Sequence, residues 1–277
     1  SGIRICKNNG LTFSSGFECE ISSQIPIRAG TSSSSAINVS WIHFLSKMAD
    51  KPKVWTLQKI AELAYKAEVI EFNEPGGMMD QYSTAMGRLI YLQSRPKIYI
   101  RQLNADLGTF VLGNSYEEKD TMRILQRCKK LQLNIVQKIK KINSEFDLHN
   151  YNYDVDLSIL NDVEKKLFNA TTQNRDILIN ALSELEKNKL NHLLIGQLLN
   201  DHHQILRDVL KVSTPKIESM LNAAMNAGAL GGKINGSGGG GCMFAYAPEN
   251  PNEVAEAIEK VGGEAFIITS DKGTISY

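Results

Sequence analysis

Cysteine is scarce in this sequence, and its spacing excludes the usual cysteine-based structures. The 277 residues contain four cysteines, Cys6, Cys19, Cys128 and Cys242. They lie far apart and form no Cys-x-x-Cys pair, which argues against a zinc site and against a dense disulfide framework. Any stability must therefore come from an ordinary apolar core.

The sequence also lacks a long apolar run and an excess of one charge. No uncharged stretch approaches the roughly 18 residues of a membrane-spanning helix, and the N-terminus lacks the basic-then-apolar order of a signal peptide. The 31 Lys and Arg residues balance 30 Asp and Glu residues, which gives no electrostatic reason to expect nucleic acid or an anionic membrane as a partner. These absences predict a soluble, cytoplasmic protein that binds neither nucleic acid nor membrane.

Composition and length are ordinary for a globular protein. Hydrophobic residues make up 42% of the chain and charged residues 22%, which excludes a disordered or fibrous protein. A mass of 30.8 kDa is enough for one large domain or two of average size. Because no long linker or repeat divides the chain, element boundaries must come from changes in pattern.

Hydrophobic periodicity predicts a mixed N-terminal part. Residues 17–21 alternate apolar and acidic side chains, which predicts that the first thirty residues form strands. Residues 36–48 and 57–71 have helical patterns, the second with Thr56 as its N-cap. Three strand-like segments follow, at 89–92, 98–100 and 110–112.

The chain is predicted to be mostly helical from about residue 117 onwards. Two amphipathic stripes, over 125–142 and 194–209, mark long helices. Basic residues between the first stripe's positions could form a polyanion-binding patch, although such lysines usually form only a solvated face. The last segments are predicted as strand, helix and strand, at 242–246, 253–261 and 265–268. Together these elements predict an α+β fold with helices covering sheets.

A serine-rich segment, residues 26–36, follows the first strand pattern and opens a helix. Small residues let a backbone approach an anion closely, and a helix N-terminus adds partial positive charge, so the segment suits a phosphate. Serine hydroxyls also bind phosphate oxygens or Mg²⁺. The segment is neither a Walker A loop nor a GxGxxG fingerprint, and serine repeats by themselves are more common in turns and linkers.

A glycine-rich segment, residues 233–242, has five glycines in the six positions 236–241. So many glycines cost backbone entropy on folding. A flexible linker is the alternative, but linkers rarely lead directly into an apolar strand. We therefore predict that this backbone packs closely against a ligand or against the serine-rich segment, with Cys242 buried as a small apolar group.

Two carboxylates lie between these segments. Asp80 follows the Gly76-Gly77 turn, from which a carboxylate could face a cleft as a general base, although an aspartate there is more often a helix cap. Glu68, near the end of a predicted helix, would by default be a surface acid.

Five segments in the same order resemble the GHMP superfamily of small-molecule kinases, and within it the galactokinase-like sugar kinases. The serine-rich segment resembles the family's second motif, and the glycine-rich segment resembles its third. Residues 76–81 are similar to the Gly-Ile-Met-Asp-Gln segment of galactokinases, and Glu68 lies at the spacing of the family's Mg²⁺ ligand. The fifth segment, similar to the family's Asn-x-x-His-x-x-Leu-Arg, comprises Asn200, His203, Leu206 and Arg207, followed by residues 212–213.

The resemblance implies a two-domain α+β fold of the GHMP kinase type. Residues 1–107 would form an N-terminal α/β domain with a left-handed βαβ crossover. Residues 108–277 would form a ferredoxin-like C-terminal domain with extra helices. The nucleotide and the sugar would bind in the cleft between the two.

The resemblance also implies the site residues. Ser34 and Glu68 would hold Mg²⁺, and Asp80 would be the catalytic residue that orients or deprotonates the sugar hydroxyl. Gly77, Asp80 and Asn114 would bind the sugar. The ATP phosphates would be bound by Arg28, Ala29, Gly30, Thr31, Ser32, Ser33, Ser34, Ser35, Gly236, Ser237, Gly238 and Gly239.

Three departures from the family pattern qualify the resemblance. The family's first motif, which normally supplies sugar ligands, is absent, so we expect a fragment, a processed chain or one part of a split protein. Arg28 and Thr31 replace small and apolar residues, and Arg28 could reach a phosphate or lie on the surface. The sugar-contacting tyrosine segment is not recognisable at residues 116–119.

The sequence therefore predicts an ATP- and Mg²⁺-dependent kinase that phosphorylates a monosaccharide at the anomeric hydroxyl, as a monomer or weak homodimer. The alternatives are a heptose, fucose, arabinose or glucuronate kinase, and a non-catalytic sensor that binds ATP and sugar. His202 and His203 are predicted to be structural rather than ligands.

Overall fold

A computed structural model describes residues 1–26, 30–118, 121–148 and 155–276. Its helices are α1 (Gly2–Asn8), α2 (Ser33–Met48), α3 (Leu57–Tyr65), α4 (Met79–Met86), α5 (Thr121–Ile142), α6 (Asp162–Leu185), α7 (His192–Asp208), α8 (Pro215–Asn226) and α9 (Pro251–Lys260). Its strands are β1 (Leu89–Gln93), β2 (Tyr99–Leu103), β3 (Phe110–Asn114), β4 (Gly231–Ile234), β5 (Cys242–Tyr246) and β6 (Glu264–Ile268).

Helices α1–α4 pack around one N-terminal core. The predicted helices over 36–48 and 57–71 are confirmed, and the Thr56 side chain caps α3 by accepting a hydrogen bond from the backbone N–H of Lys59. The second helix does not run straight to residue 71, because it passes into a π-helical turn at Lys66–Ile70. The buried side chains of this core include Val39, Ile42, Leu45, Ile60, Leu63 and Tyr82.

The prediction of strands in the first thirty residues is wrong. Residues 2–8 form α1, which buries Gly2 and Cys6 at helical spacing, and the described residues 10–26 contain no strand. Phe17 is held by aromatic contacts, with its ring centroid 5.8 Å from that of Trp41 and 5.1 Å from that of Phe44. Ile21 is 61% exposed. The alternation over 17–21 therefore reflects one aromatic anchor beside exposed residues rather than a pleated strand.

The C-terminal part contains a four-stranded antiparallel sheet in the order β4-β5-β3-β6. Helices α8 and α9 pack together, with α8 against β4 and β5 and α9 against β3 and β6. The path β3, helices, β4, β5, α9, β6 is the ferredoxin-like arrangement, and α5, α6 and α7 are the extra helices. The three strand segments predicted before residue 117, and the two at the end, are confirmed.

Antiparallel pairing holds for every strand pair in the described ranges. Strands β1 and β2 form a separate two-stranded ribbon with Leu89 opposite Leu103. A βαβ crossover joins parallel strands, so the left-handed crossover that the resemblance implied does not lie within these ranges.

Helix α7 lies along the outer edge of β4. The edge N–H of Gly232 donates to Asn200 Oδ1 at 2.9 Å, and that of Ile234 donates to His203 Nδ1 at 3.3 Å. These side chains satisfy backbone donors that an edge strand would otherwise leave unpaired in the interior. Closer to the start of β4, a Cβ on Gly196 would overlap the carbonyl group of Leu230, so this helix and strand meet backbone to backbone.

Helices α5 and α6 form a third apolar cluster. Ile135 and Ile139 of α5 are buried against Phe146 and Phe168, whereas Ile142, on the predicted stripe, is 52% exposed. Lys138 on the same helix pairs with Glu164, with Nζ 2.7 Å from Oε1. The predicted amphipathic helix is confirmed, but of its apolar stripe only Ile135 and Ile139 are buried.

The chain returns to the N-terminal core after β6. The backbone N–H of Arg88 donates to the carbonyl of Asp271, and that of Thr274 donates to the carbonyl of Ala85 at 3.3 Å. His43 Nδ1 lies 3.1 Å from Thr274 Oγ1. The tail therefore contacts the C-terminal end of α4, and the division of the chain between 107 and 108 stays a prediction.

None of the helices in the described ranges is long and apolar enough to cross a bilayer.

The contact between α7 and β4 predicts that Gly196→Ala is strongly destabilising. The added methyl group would force helix and strand apart, and such overpacking costs about 2 kcal/mol in the free energy of unfolding, even though alanine favours a helix. Urea unfolding followed by circular dichroism measures the loss. Gly16→Ala is the control, because a Cβ there meets no atom within 4 Å, and an equal loss in both variants would contradict the close contact.

Candidate active site

The serine-rich segment leads directly into the N-terminus of α2. Thr31 Oγ1 donates to the carbonyl of Pro26 at 2.8 Å, and Ser32 has a left-handed backbone (φ 57°) before the helix begins at Ser33. The Ser32 side chain does not cap the helix, and no acidic residue lies in the first turn. The first amide groups of α2 are therefore left to bind an anion. Arg28 and Ala29 lie outside the described residues.

The glycine-rich segment is a tight turn between β4 and β5. All five of its glycines have positive φ, from 63° at Gly236 to 113° at Gly240, a conformation that other residues adopt only with strain. Its amides bond inward, with Gly239 N–H donating to Val212 O at 2.6 Å and Gly241 N–H to Glu117 O at 3.0 Å. The segment therefore packs closely against the rest of the C-terminal part, which excludes the linker alternative, and its predicted packing against a ligand stays a prediction. Cys242 is buried, as predicted.

The two small-residue segments meet. Asn235 Nδ2 donates to the carbonyl of Gly30 at 2.8 Å, across 205 positions of sequence. This contact sets the turn after β4 beside the loop before α2. Sequence reasoning did not assign Asn235 a role, although its place directly before the glycines was a usable signal.

Glu68, Ser35 and Gln81 form a second cluster beside the N-terminus of α2. Gln81 Nε2 donates to Glu68 Oε2 at 2.7 Å and to Ser35 Oγ at 3.2 Å. Glu68 lies on the π-helical turn, a feature common at functional sites. Ser34 is exposed, one position before Ser35. Glu68 is thus not an isolated surface acid, and Gln81 is a residue that sequence reasoning missed.

Asp80 lies exposed in the first turn of α4, directly before Gln81. The N-cap of α4 is Met78, so Asp80 is not the helix cap that was its alternative role. Gly77 precedes this helix, with open space where its Cβ would lie. The side chain of Asp80 is exposed, and its predicted catalytic role stays a prediction.

Asn114 belongs to a different set of contacts. It ends β3, where its Nδ2 lies 3.4 Å from Glu264 Oε2 and its Oδ1 accepts the N–H of Tyr116 at 3.1 Å. Both ends of its amide are therefore used within the C-terminal sheet, and its predicted role in substrate binding stays a prediction.

His203 is structural, as predicted. Because its Nδ1 accepts the N–H of Ile234, the proton lies on Nε2, which donates to Glu218 Oε1 at 2.9 Å. Burial is the main reason why the pKa of His203 is lowered, which keeps this neutral form. For His202, burial and then the charges of Lys233 and His203 lower the pKa to about 4.

Lys233 is a buried amine that sequence reasoning did not assign. Its Nζ donates to the carbonyl of Ile234 at 2.9 Å and lies 5.0 Å from the centre of the Phe244 ring. Burial lowers the pKa of Lys233 to about 8. The residue stands two positions before Asn235, at the base of the glycine-rich turn.

Both halves of the chain match models of known kinase domains. A model of the GHMP kinases N terminal domain matches residues 3–88, and one of the GHMP kinases C terminal matches residues 181–266. The mevalonate kinase of Thermococcus onnurineus is 30% identical over 96% of this chain, which spans 68% of that enzyme.

The chain belongs to the GHMP kinase superfamily.

Other relatives have different substrates in their names. The galactokinase of Pasteurella multocida is 27% identical over 90% of this chain and 65% of its own length. The crystal structure of Lactococcus lactis galactokinase complexed with galactose has a TM-score of 0.72 at 20% identity, covering 99% of this chain and 74% of that one. This GHMP small-molecule kinase therefore shares its fold with a galactokinase and its higher sequence identity with a mevalonate kinase.

Kinases of this superfamily use ATP, typically with Mg²⁺, and the oxygen groups of the Glu68 cluster fit such a cation. Mg²⁺ is usually bound by one or two carboxylates together with substrate phosphates and water. Glu68 offers one carboxylate, and Gln81 Oε1 is buried with no hydrogen-bond partner in the part of the chain that the structure describes. The described residues contain no group of three or more metal-ligating His, Cys, Asp or Glu side chains, so phosphate oxygens would have to complete the site.

The burial of Lys233 predicts a pH dependence of stability. The fold disfavours the charged amine, so below pH 8 Lys233 destabilises the protein relative to a neutral side chain. That penalty disappears as the pH rises from about 8 to 10.5, where the unfolded lysine also loses its proton. We expect Lys233→Met to gain stability over the wild type at pH 7 and to lose this advantage by pH 10.5.

Urea unfolding at several pH values measures this difference. Lys51→Met, at an exposed position, is the control and should follow the wild type at every pH. A constant difference between Lys233→Met and the wild type from pH 7 to 10.5 would contradict the buried charge.

Proposed function

We propose that this kinase transfers the γ-phosphate of ATP to a hydroxyl of a monosaccharide, at the anomeric position, with Asp80 as the catalytic residue. The single observation that carries the proposal is the hydrogen bond between Asn235 and Gly30. It joins two turns from opposite ends of the chain at the uncapped N-terminus of α2. Such a place suits a polyphosphate because amide groups and the helix dipole converge there.

The two turns supply the phosphate contacts in this proposal. Residues 30–35 offer backbone amides and serine hydroxyls, while positions 236–238 offer a backbone that glycine lets approach closely. The N–H of Gly239, also predicted to bind phosphate, is already bonded to Val212 O. The inward hydrogen bonds of the glycine-rich turn hold it rigid. Phosphoryl transfer depends mainly on positioning and charge stabilisation, and a rigid pair of turns provides positioning.

Ser34 and Glu68 are the residues that would hold the cation. The carboxylate of Glu68 is kept in place by Gln81, and Ser34 lies next to Ser35, which bonds the same glutamine. A bound Mg²⁺ would neutralise the charge of the β- and γ-phosphates.

Asp80 would accept or orient the proton of the attacking hydroxyl. It follows Gly77 into the first turn of α4, exposed and one residue from Gln81. Its exposure and its position next to Gln81, which bonds Glu68, support this role. A non-catalytic sensor has less need of such a carboxylate, which favours the enzyme over the sensor.

The sugar acceptor rests on the similarity of residues 76–81 to the galactokinase segment. A second candidate is mevalonate, because the mevalonate kinase of Thermococcus onnurineus is 30% identical over nearly the whole chain. Both acceptors offer a hydroxyl to Asp80, and they differ in that mevalonate carries a carboxylate.

The role of Asp80 predicts that Asp80→Asn lowers turnover by about 100-fold or more, the usual contribution of a positioned acid or base. ATP affinity should be largely kept, because the phosphate contacts lie in other segments. Steady-state assays with coupled detection of ADP, together with calorimetric titration of ATP, separate the two effects.

Asp162→Asn is a matched control, since Asp162 also lies exposed in the first turn of a helix. Its turnover should equal that of the wild type. Unchanged turnover in Asp80→Asn would eliminate the catalytic role of this residue.

A substrate panel tests the acceptor. With the complete protein we expect ADP release with galactose or with another sugar among the heptoses, fucose, arabinose and glucuronate. Release with mevalonate alone would replace the sugar by the second candidate. ATP binding without release on any acceptor would favour the sensor.

A further inference from the structure

Gln81 is a buried polar side chain at the meeting point of three elements. It belongs to α4, it bonds Glu68 on the π-helical turn, and it bonds Ser35 in the first turn of α2. It is only 2% exposed. Most buried glutamines satisfy every polar atom, so the partners of this one have to be counted.

The amide nitrogen of Gln81 is fully used. Its two hydrogens go to Glu68 Oε2 at 2.7 Å and to Ser35 Oγ at 3.2 Å. The opposite orientation of the amide would bring its carbonyl oxygen against the carboxylate of Glu68, where two acceptors repel each other. The charge of Glu68 therefore fixes which way the amide faces.

The amide oxygen of Gln81 is left over. Oε1 is buried and, among the described residues, has no hydrogen-bond partner. A buried acceptor without a donor costs about 1–3 kcal/mol. An unsatisfied buried group calls for an explanation, of which a missing water or ion is one.

The bond to Gln81 also restricts Glu68. A half-buried glutamate has several rotamers, and one strong hydrogen bond to a buried donor selects among them. Glu68 Oε2 is occupied by the amide, which leaves Oε1 to face a cation. Ser35, which accepts from the same amide, is left with its own hydrogen to donate.

We propose that Gln81 is the positioning residue of the cation site: it holds Glu68 in the rotamer that binds a divalent cation and ties that carboxylate to the phosphate-binding turn. Its free Oε1 would accept a hydrogen bond from a water molecule held by that cation. This inference rests on the proposed function, because it assigns Gln81 to the cation that Ser34 and Glu68 would hold. Gln81 acts through Glu68 and touches neither phosphate nor acceptor.

The test is a binding measurement that needs no turnover. ADP affinity is measured by calorimetric titration with Mg²⁺ and again with EDTA, for the wild type and for Gln81→Leu, which keeps the size of the side chain but removes its polar atoms. We expect the wild type to bind ADP more tightly with Mg²⁺. In Gln81→Leu the cation dependence should weaken by about 10-fold or more, the usual effect of losing a group that orients a metal ligand, while the affinity in EDTA stays close to that of the wild type.

Gln132→Leu is the matched control. Gln132 also donates to a hydroxyl, with Nε2 2.6 Å from Thr171 Oγ1, but it lies in the α5–α6 pair. Its ADP affinity should keep the full Mg²⁺ dependence. Gln81→Asn is the second variant, because it keeps the amide and is one methylene too short to reach both partners. It should reproduce the loss if Gln81→Leu does not fold.

The outcomes separate this inference from the function on which it rests. A wild type that binds no ADP would overturn the proposed function itself. A wild type with Mg²⁺-dependent binding, and folded Gln81 variants with the same dependence, would overturn the role of Gln81 alone. Equal weakening with and without Mg²⁺ would also overturn it, because a merely structural glutamine would affect both conditions alike.

Discussion

The outer edge of β4 is the constraint on which the site depends. An edge strand inside a protein presents backbone N–H groups that must find acceptors, and here Asn200 and His203 of α7 provide them. Because His203 must accept at Nδ1, it donates from Nε2 to Glu218, which also receives the hydroxyl of Ser213. The strand is thereby fixed up to its last residue, and the turn after it starts from a defined position.

The glycine-rich turn starts at this position, and it allows a contact between two parts of the chain that are 205 positions apart. Positive φ at five glycines folds the backbone back on itself, and bonds to Val212 and Glu117 hold it there. Asn235 is left at the outer side, where it bonds Gly30. Glycine is required for geometric reasons here, since a Cβ at Gly238 would run into the backbone of Val212. The glycine content of this segment and the contact of Asn235 with Gly30 therefore both follow from the tight turn after β4.

Elements with strong periodicity could be predicted from the sequence, whereas contacts between them could not. The apolar spacing over 36–48 and 242–246 identified α2 and β5, because burial of one face dictates that spacing. The strand prediction for residues 17–21 is wrong because the Phe17 ring packs against Trp41 and Phe44 and not against a neighbouring strand. Among the residues of the candidate site, the glycines, the serines and the carboxylates could be recognised in the sequence by their residue type. Asn235 and Gln81 stood in the recognised segments but were given no role, since the function of an amide depends on the groups that the fold places beside it.

The arrangement of the site separates phosphate chemistry from the choice of acceptor. The turns, Glu68 and Gln81 would serve any hydroxyl brought to Asp80, so their presence is equally compatible with a sugar and with a hydroxy acid. Asn114, whose amide bonds Glu264 and Tyr116 on the C-terminal sheet, stays a predicted contact of the acceptor. In the proposed function, specificity depends on this residue and on groups that reach the open space beside Gly77. Relatives that are 30% and 27% identical to this chain carry the names of different substrates, so an identity of this size does not by itself decide the acceptor.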